Sequence, residues 1–233
     1  MNLGELAVAC YAYGAMTSYD DSLARLERLL AGKPDLRLAE HRQALLKWLN
    51  QWQCRQFSLA CHDRASAELL AWFEGAETAL PEPHLHLWQL STSEIEEFVP
   101  VFDTLSKKQA STRTQGDRTS VVTFGPTAAA KILFALRPRV FVAWDEPIRR
   151  ELKYDGSGRS YADFMLILRE QLLDLQSQCR RFDLELEELP RAIGRPRSTP
   201  AQLLDEYYWA TKTRKVVLPG REAVARWLDW FAT

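Results

Sequence analysis

Residues 123–152, TFGPTAAAKILFALRPRVFVAWDEPIRREL, decide how this chain reads. Gly125 marks a turn, Ala128 to Leu136 form an apolar helix, Arg137-Pro138 breaks it, and Val140 to Trp144 carry the backbone through apolar ground to Asp145. Pro147 suits the first turn of a following helix, which makes Asp145 its N-cap. Capping alone would account for an aspartate here. A carboxylate delivered to the mouth of a cleft would account for it equally, and the sequence leaves both open.

Outward from this run, apolar residues recur at helical spacing almost everywhere. Leu23, Leu26, Leu29 and Leu30 fall three and four apart, as do Ala44, Leu45, Trp48 and Leu49, then Leu69, Leu70, Trp72 and Phe73, and later Phe164, Ile167, Leu168, Leu172 and Leu175. Helix-start signals agree in phase: residues 18–21, Ser91 to Ser93 with Glu94, 198–200 and Pro219-Gly220. Strand-like alternation is confined to residues 84–88 and 121–124. The pattern predicts an all-α fold. Breaks at 79–83 (ALPEP), 111–120 (STRTQGDRTS, expected to be a polar loop) and 189–200 divide the helices without any long linker. They fit one compact unit over 1–233, which can be divided into lobes at 1–110 and 111–233.

Thirty Lys and Arg residues stand against 31 Asp and Glu, a net charge of −1, which excludes a globally basic polyanion binder. Locally the balance tilts: residues 107–153 hold ten basic side chains and four acidic ones. Clustered positive charge is the footprint of a phosphate-backbone binder, and equally of ordinary solvated helix faces. Cys10, Cys54, Cys61 and Cys179 form no Cys-x-x-Cys pair and suggest reduced, buried thiols. With no apolar run near the ~20 residues of a membrane span, a soluble cytoplasmic protein is expected. His84 and His86 lack an obvious third ligand, so no metal or other cofactor is expected.

The central run resembles the helix-hairpin-helix base-excision DNA glycosylases. In that family a Gly-x-Gly hairpin leads into an apolar helix, a short turn, a Phe-containing approach and an aspartate followed by a helix bearing Arg or Lys. Gly125 matches the second hairpin glycine, Ala128 to Leu136 the helix, Arg137-Pro138 the turn, Phe141 to Trp144 the approach, Asp145 the catalytic aspartate, and Ile148-Arg149 the Arg-bearing helix after it. The spacing fits members of the adenine-mismatch type without a gap. The match covers roughly thirty residues, and the remaining helices are compatible but generic. Departures are specific: Thr123-Phe124 precede the lone Gly125, Thr127 stands where bifunctional members carry a nucleophilic lysine, and iron–sulfur cysteines are absent near the C-terminus. Lys131 lies one helical turn beyond Thr127, on the same face.

The resemblance implies a two-lobed all-α fold with a cleft, and a monomeric enzyme that flips a damaged or modified base out of double-stranded DNA and excises it by hydrolysis, in repair or in defence against modified phage DNA. It implies Asp145 and Lys131 as catalytic residues, and Phe124, Gly125, Thr127, Arg118 and Arg149 as DNA contacts. Phe124 and the polar stretch 115–120 would fill the vacated stack. Trp144, Trp88 and Trp209 are the candidate base-pocket aromatics, although aromatics at helical spacing are more often core. Hydrolysis is favoured over imine chemistry because Lys131 is displaced from the family's lysine position, where its other roles would be a phosphate contact or an ion pair with Asp145. A catalytically silent helix-hairpin-helix DNA-binding protein and an α-helical interaction protein remain the alternatives.

Overall fold

The computed structural model describes residues 1–30, 32 and 34–231. In chain order its elements are α1 (Leu3–Met16), α2 (Tyr19–Leu29), α3 (Ala39–Gln51), α4 (His62–Ala76), α5 (Thr92–Glu96), α6 (Phe98–Ser106), β1 (Gln109–Gln115) and β2 (Arg118–Thr123). They continue with α7 (Gly125–Leu136), α8 (Glu146–Glu151), α9 (Gly158–Cys179), α10 (Leu189–Ala192), α11 (Pro200–Tyr208) and α12 (Arg221–Phe231). The frame is helical, as the periodicity predicts. Helix starts coincide with short polar caps: Asn2 and Ser91 each close a reciprocal capping box, and the side chains of Ser157 and Thr199 accept backbone N–H groups of α9 and α11.

The expected polar loop at 111–120 is instead a β-hairpin. Strands β1 and β2 pair antiparallel, from Ser111 opposite Val122 to Gln115 opposite Arg118, and Gly116 opens the two-residue turn at φ +59°. Residues 84–88 form no strand; the chain there ends in a single 3₁₀ turn at Leu87–Gln89. Beyond the hairpin, α7 occupies the centre. Ala128 through Leu133 are buried on every side of that helix, which explains its uninterrupted apolar sequence. Helices α3 and α6 lie against α7, and α9 covers α6. Buried hydrophobic residues form one continuous cluster from Leu6 to Tyr208, with Ala9, Tyr13, Trp209 and Ala210 as a small satellite.

Gly158 shows how closely α9 approaches α6. Its N–H donates to Asp103 Oδ1 at 2.6 Å, and an added Cβ would collide with the Val99 carbonyl oxygen and lie 3.0 Å from the Asp103 carboxyl carbon. Gly158→Ala should therefore cost about 1–3 kcal/mol through overpacking. Thermal denaturation should show a melting temperature lower by several degrees; an unchanged value would mean that the two helices are not held at this distance.

Candidate active site

The extended segment before Asp145 has no neighbouring strand, so its backbone groups need other partners. Tyr161 on α9 supplies them: its hydroxyl donates to the Val142 carbonyl at 2.8 Å and accepts the Val142 N–H at 3.3 Å. One residue before the aspartate, Arg149 Nη1 donates to the Trp144 carbonyl at 2.5 Å and to Thr127 Oγ1 at 3.0 Å, tying α8 back to α7. At the far end of α7, Arg137 Nε donates to the Pro81 carbonyl at 2.6 Å and fixes the elbow. These clamps leave Asp145 little freedom of position.

Asp145 occupies the N-cap position of α8 with an extended backbone, φ −75° and ψ 154°, yet its side chain makes no capping hydrogen bond. Instead Asp145 Oδ1 lies 2.9 Å from Lys131 Nζ. Capping therefore does not explain the residue. The ammonium of Lys131 also donates to the Trp52 carbonyl at 2.9 Å and sits 5.6 Å from the centre of a Trp52 ring. Lys131 is the more enclosed partner, with its side chain 6% exposed against 24% for Asp145. Burial pushes the lysine pKa down, but the charge and hydrogen bond of Asp145 outweigh it and raise the pKa above the usual range. Lys131 is thus an ammonium at neutral pH and holds no free lone pair for nucleophilic attack.

The pair sits in the wall of a cleft of about 460 Å³. That volume is within the ~300–1,000 Å³ usual for small-molecule sites. Tyr19, Trp52 and Trp209 give the cleft an aromatic side, while Gln53, Gln56 and Thr127 add polar groups. Tyr19 and Trp52 rings lie 5.0 Å apart, and Tyr19 meets Trp209 edge-on at 6.3 Å. Gln53 adopts φ +64° and donates from Nε2 to the Tyr19 hydroxyl at 2.8 Å. Gln56 donates to the Phe124 carbonyl at 2.6 Å, securing the junction where Gly125 turns into α7 at φ +68°. Trp209 begins a π-helical turn, Trp209–Thr213, in which the Arg214 N–H bonds the Trp209 carbonyl; the Arg214 guanidinium lies 4.9 Å from the Trp209 ring centre. Burial pushes the Cys54 thiol up to about 11, with Lys131 lowering and Asp145 raising it, so this cleft residue stays protonated at neutral pH.

Asp145, Lys131, Phe124, Gly125, Thr127 and Trp209 all line this cleft. The other candidates do not. Trp144 is fully buried and stacks 5.9 Å from Phe164, because neighbours in an extended segment project to opposite sides: with Asp145 turned to the cleft, Trp144 faces the core. Trp88 lies against His86, ring centres 4.1 Å apart, outside the cleft lining. Arg149 is buried outside the cleft lining and donates to the Trp144 carbonyl and the Thr127 hydroxyl. Phe124 has no exposed surface and packs edge-on against Phe57, so it offers no wedge in this conformation. Arg118 lies on exposed β2.

Several cleft residues come from elements that carry no local motif. Trp52 and Gln53 follow the end of α3, where Trp48 and Trp52 look like core at helical spacing. Behind them, on α11, Asp205 is buried and forms no ion pair among the described residues. Burial raises its carboxyl well above the carboxylate range; Asp145 adds to the rise and Lys131 opposes it. Its neighbour Glu206 is also fully buried, but is held by Arg195 at 2.9 and 3.0 Å and by the Ser198 hydroxyl at 2.7 Å. A carboxyl with a raised folded-state pKa loses stability as pH climbs from the unfolded value, ~3.9, toward the folded one. Asp205→Asn should accordingly raise the melting temperature at neutral pH, with the gain vanishing below about pH 4. A gain equal at all pH values would contradict the shift.

No family model, curated protein or solved structure matches this chain. Its chemistry must be read from the cleft itself. Among the described residues no group of three or more His, Cys, Asp or Glu could hold a metal ion, and no helix is long and apolar enough to cross a membrane.

Proposed function

We propose that the protein is a monofunctional DNA glycosylase of the two-lobed helix-hairpin-helix type, acting as a cytoplasmic monomer on double-stranded DNA that carries a damaged or modified base. One observation carries this proposal: Asp145 stands at the start of a helix it does not cap, turned to an aromatic-walled cleft and steadied by a buried lysine. The base would be extruded into the cleft, at a cost of a few kcal/mol, and stack against Tyr19, Trp52 or Trp209. As the C1′–N bond breaks, positive charge grows on the deoxyribose, and the carboxylate of Asp145 stabilises it. The base leaves with the bonding electron pair and takes a proton from solvent water, water oriented by the same carboxylate adds its oxygen to C1′ and gives a proton to Asp145, and Asp145 returns that proton to solvent.

The protonated state of Lys131 supports hydrolysis over imine formation, because an ammonium cannot add to C1′. In this mechanism Lys131 orients the Asp145 carboxylate and holds it in place. The same ion pair is also what a silent DNA-binding protein would show, with the carboxylate neutralised in a purely structural bond. A panel of duplexes carrying different lesions and modified bases, analysed before and after hot alkali, decides between these outcomes. Breaks that need alkali on at least one substrate are the expected result. Breaks before alkali would overturn hydrolysis in favour of lyase chemistry, and binding without any product would leave only the silent reading.

A further inference from the structure

Between α6 and α7, where the glycosylase pattern has a short hairpin turn, this chain extends the arm β1–β2. Every residue from Thr112 to Val121 is exposed, on both faces of the ribbon. Only the root is anchored: Ala110 and Ser111 are buried, Arg64 on α4 donates to the Gln109 side chain at 3.0 Å, and Lys108 faces Glu68 at 3.6 Å. A lone two-stranded hairpin is at best marginally stable in water, and its unpaired edges are a hazard that proteins usually cover. The ribbon buries almost nothing for the core, so packing does not explain its length.

The register sorts its side chains. Arg113 stands opposite Ser120 and Gln115 opposite Arg118, so both arginines share one face with those two polar residues. Thr112, Thr114, Thr119 and Val121 occupy the other face, where the Thr114 and Thr119 hydroxyls meet at 3.2 Å. Neither guanidinium has an acidic partner among the described residues, and Asp117, at the turn, is the arm's one acid. At its root β2 runs directly into Phe124 and Gly125, which line the cleft with Asp145. Seven residues of β1 at ~3.4 Å each extend the ribbon roughly 20 Å from that point.

We infer that the arm is a DNA-gripping ribbon, which lies along the duplex beside the cleft with the Arg113 and Arg118 face against phosphates and its polar rows in the groove. This rests on the glycosylase reading for the identity of the polyanion. The geometry suits it: the major groove of B-form DNA, about 12 Å wide, admits a two-stranded β-ribbon, and two unpaired arginines on one face match a charged backbone. The arm then holds the helix in register while the neighbouring cleft receives the extruded nucleotide.

The test uses the full chain carrying Arg113→Ala and Arg118→Ala, both exposed positions whose substitution leaves the core untouched, with circular dichroism to check the fold. Fluorescence anisotropy with a labelled, lesion-free duplex is read over a series of salt concentrations. Affinity should fall about tenfold at low salt, and the log–log salt slope should become shallower by about 1.8, the value for two lost phosphate contacts. Unchanged affinity and slope would overturn the inference, as would an equal loss with a single-stranded probe or with polyglutamate, which would point to charge without duplex geometry. Excision by the wild-type chain with unaltered duplex binding by the variant would sink the arm and leave the glycosylase standing. Duplex binding that depends on the arm, with no excision of any base, would do the reverse.

Discussion

Asp145→Asn should reduce single-turnover base excision by about a thousandfold, the scale on which loss of a key electrostatic stabiliser acts, while duplex affinity stays the same or rises slightly. The substitution keeps the shape of the side chain and removes its charge. Among the described residues lining the cleft the one other carboxylate is Glu146, which is exposed and makes no ion pair with Lys131. A thousandfold loss corresponds to about 4 kcal/mol of transition-state stabilisation. Binding should survive because removing an anion from the cleft proposed to receive DNA cannot weaken attraction for phosphates. Stability should also drop, since Lys131 is left as a buried cation. The loss should be smaller than the ~3–5 kcal/mol of a stripped buried pair, because the amide oxygen and the Trp52 carbonyl still accept from the ammonium. Full excision activity in this variant would end the mechanism proposed for Asp145.

Lys131→Ala should lower excision by roughly one to two orders of magnitude, as expected for a misplaced catalytic group, without changing the product. Asp145 keeps its charge in this variant but loses the partner that fixes its orientation. Being 24% exposed, it can turn toward water, so the change costs rate more than it costs charge stabilisation. The abasic product should still need alkali to break, and borohydride should trap no covalent complex with the wild-type chain. Trapping that disappears in Lys131→Ala would make the lysine a nucleophile and overturn the proposed hydrolysis. A stability loss accompanies the substitution, since the alanine leaves the Trp52 carbonyl with only the weak Cys54 thiol donor at 3.9 Å. Lys131→Gln, which can still donate to that carbonyl, should recover stability without recovering rate.

The helical frame was legible because amphipathic helices advertise themselves locally, through spacing and caps such as Ser91 with Glu94. The arm was not. A strand shows its period of two when one face is buried, and residues 112–121 are exposed on both faces, so STRTQGDRTS reads as a loop. Asp145 stood out because a carboxylate after five apolar residues is unusual, and Lys131 because one helical turn joins it to Thr127. What the sequence could not place was the far wall. Tyr19, Trp52, Gln53 and Arg214 arrive from three distant regions of the chain, and no local spacing announces that they converge. Trp144 misled by adjacency, since being next to Asp145 in an extended segment means facing away from it.

The π-helical turn at Trp209–Thr213 sets where the far wall of the cleft ends. The turn closes α11, and its hydrogen bonds span one residue more than those of the α-helix it ends. Each helical residue advances the chain by about 100° around the axis. Take that extra residue away, and Thr213 and Arg214 would swing out of the cleft while Trp209 and the core beneath it stayed where they are. Variants that delete a residue here should therefore change what the cleft accepts before they change whether the protein folds.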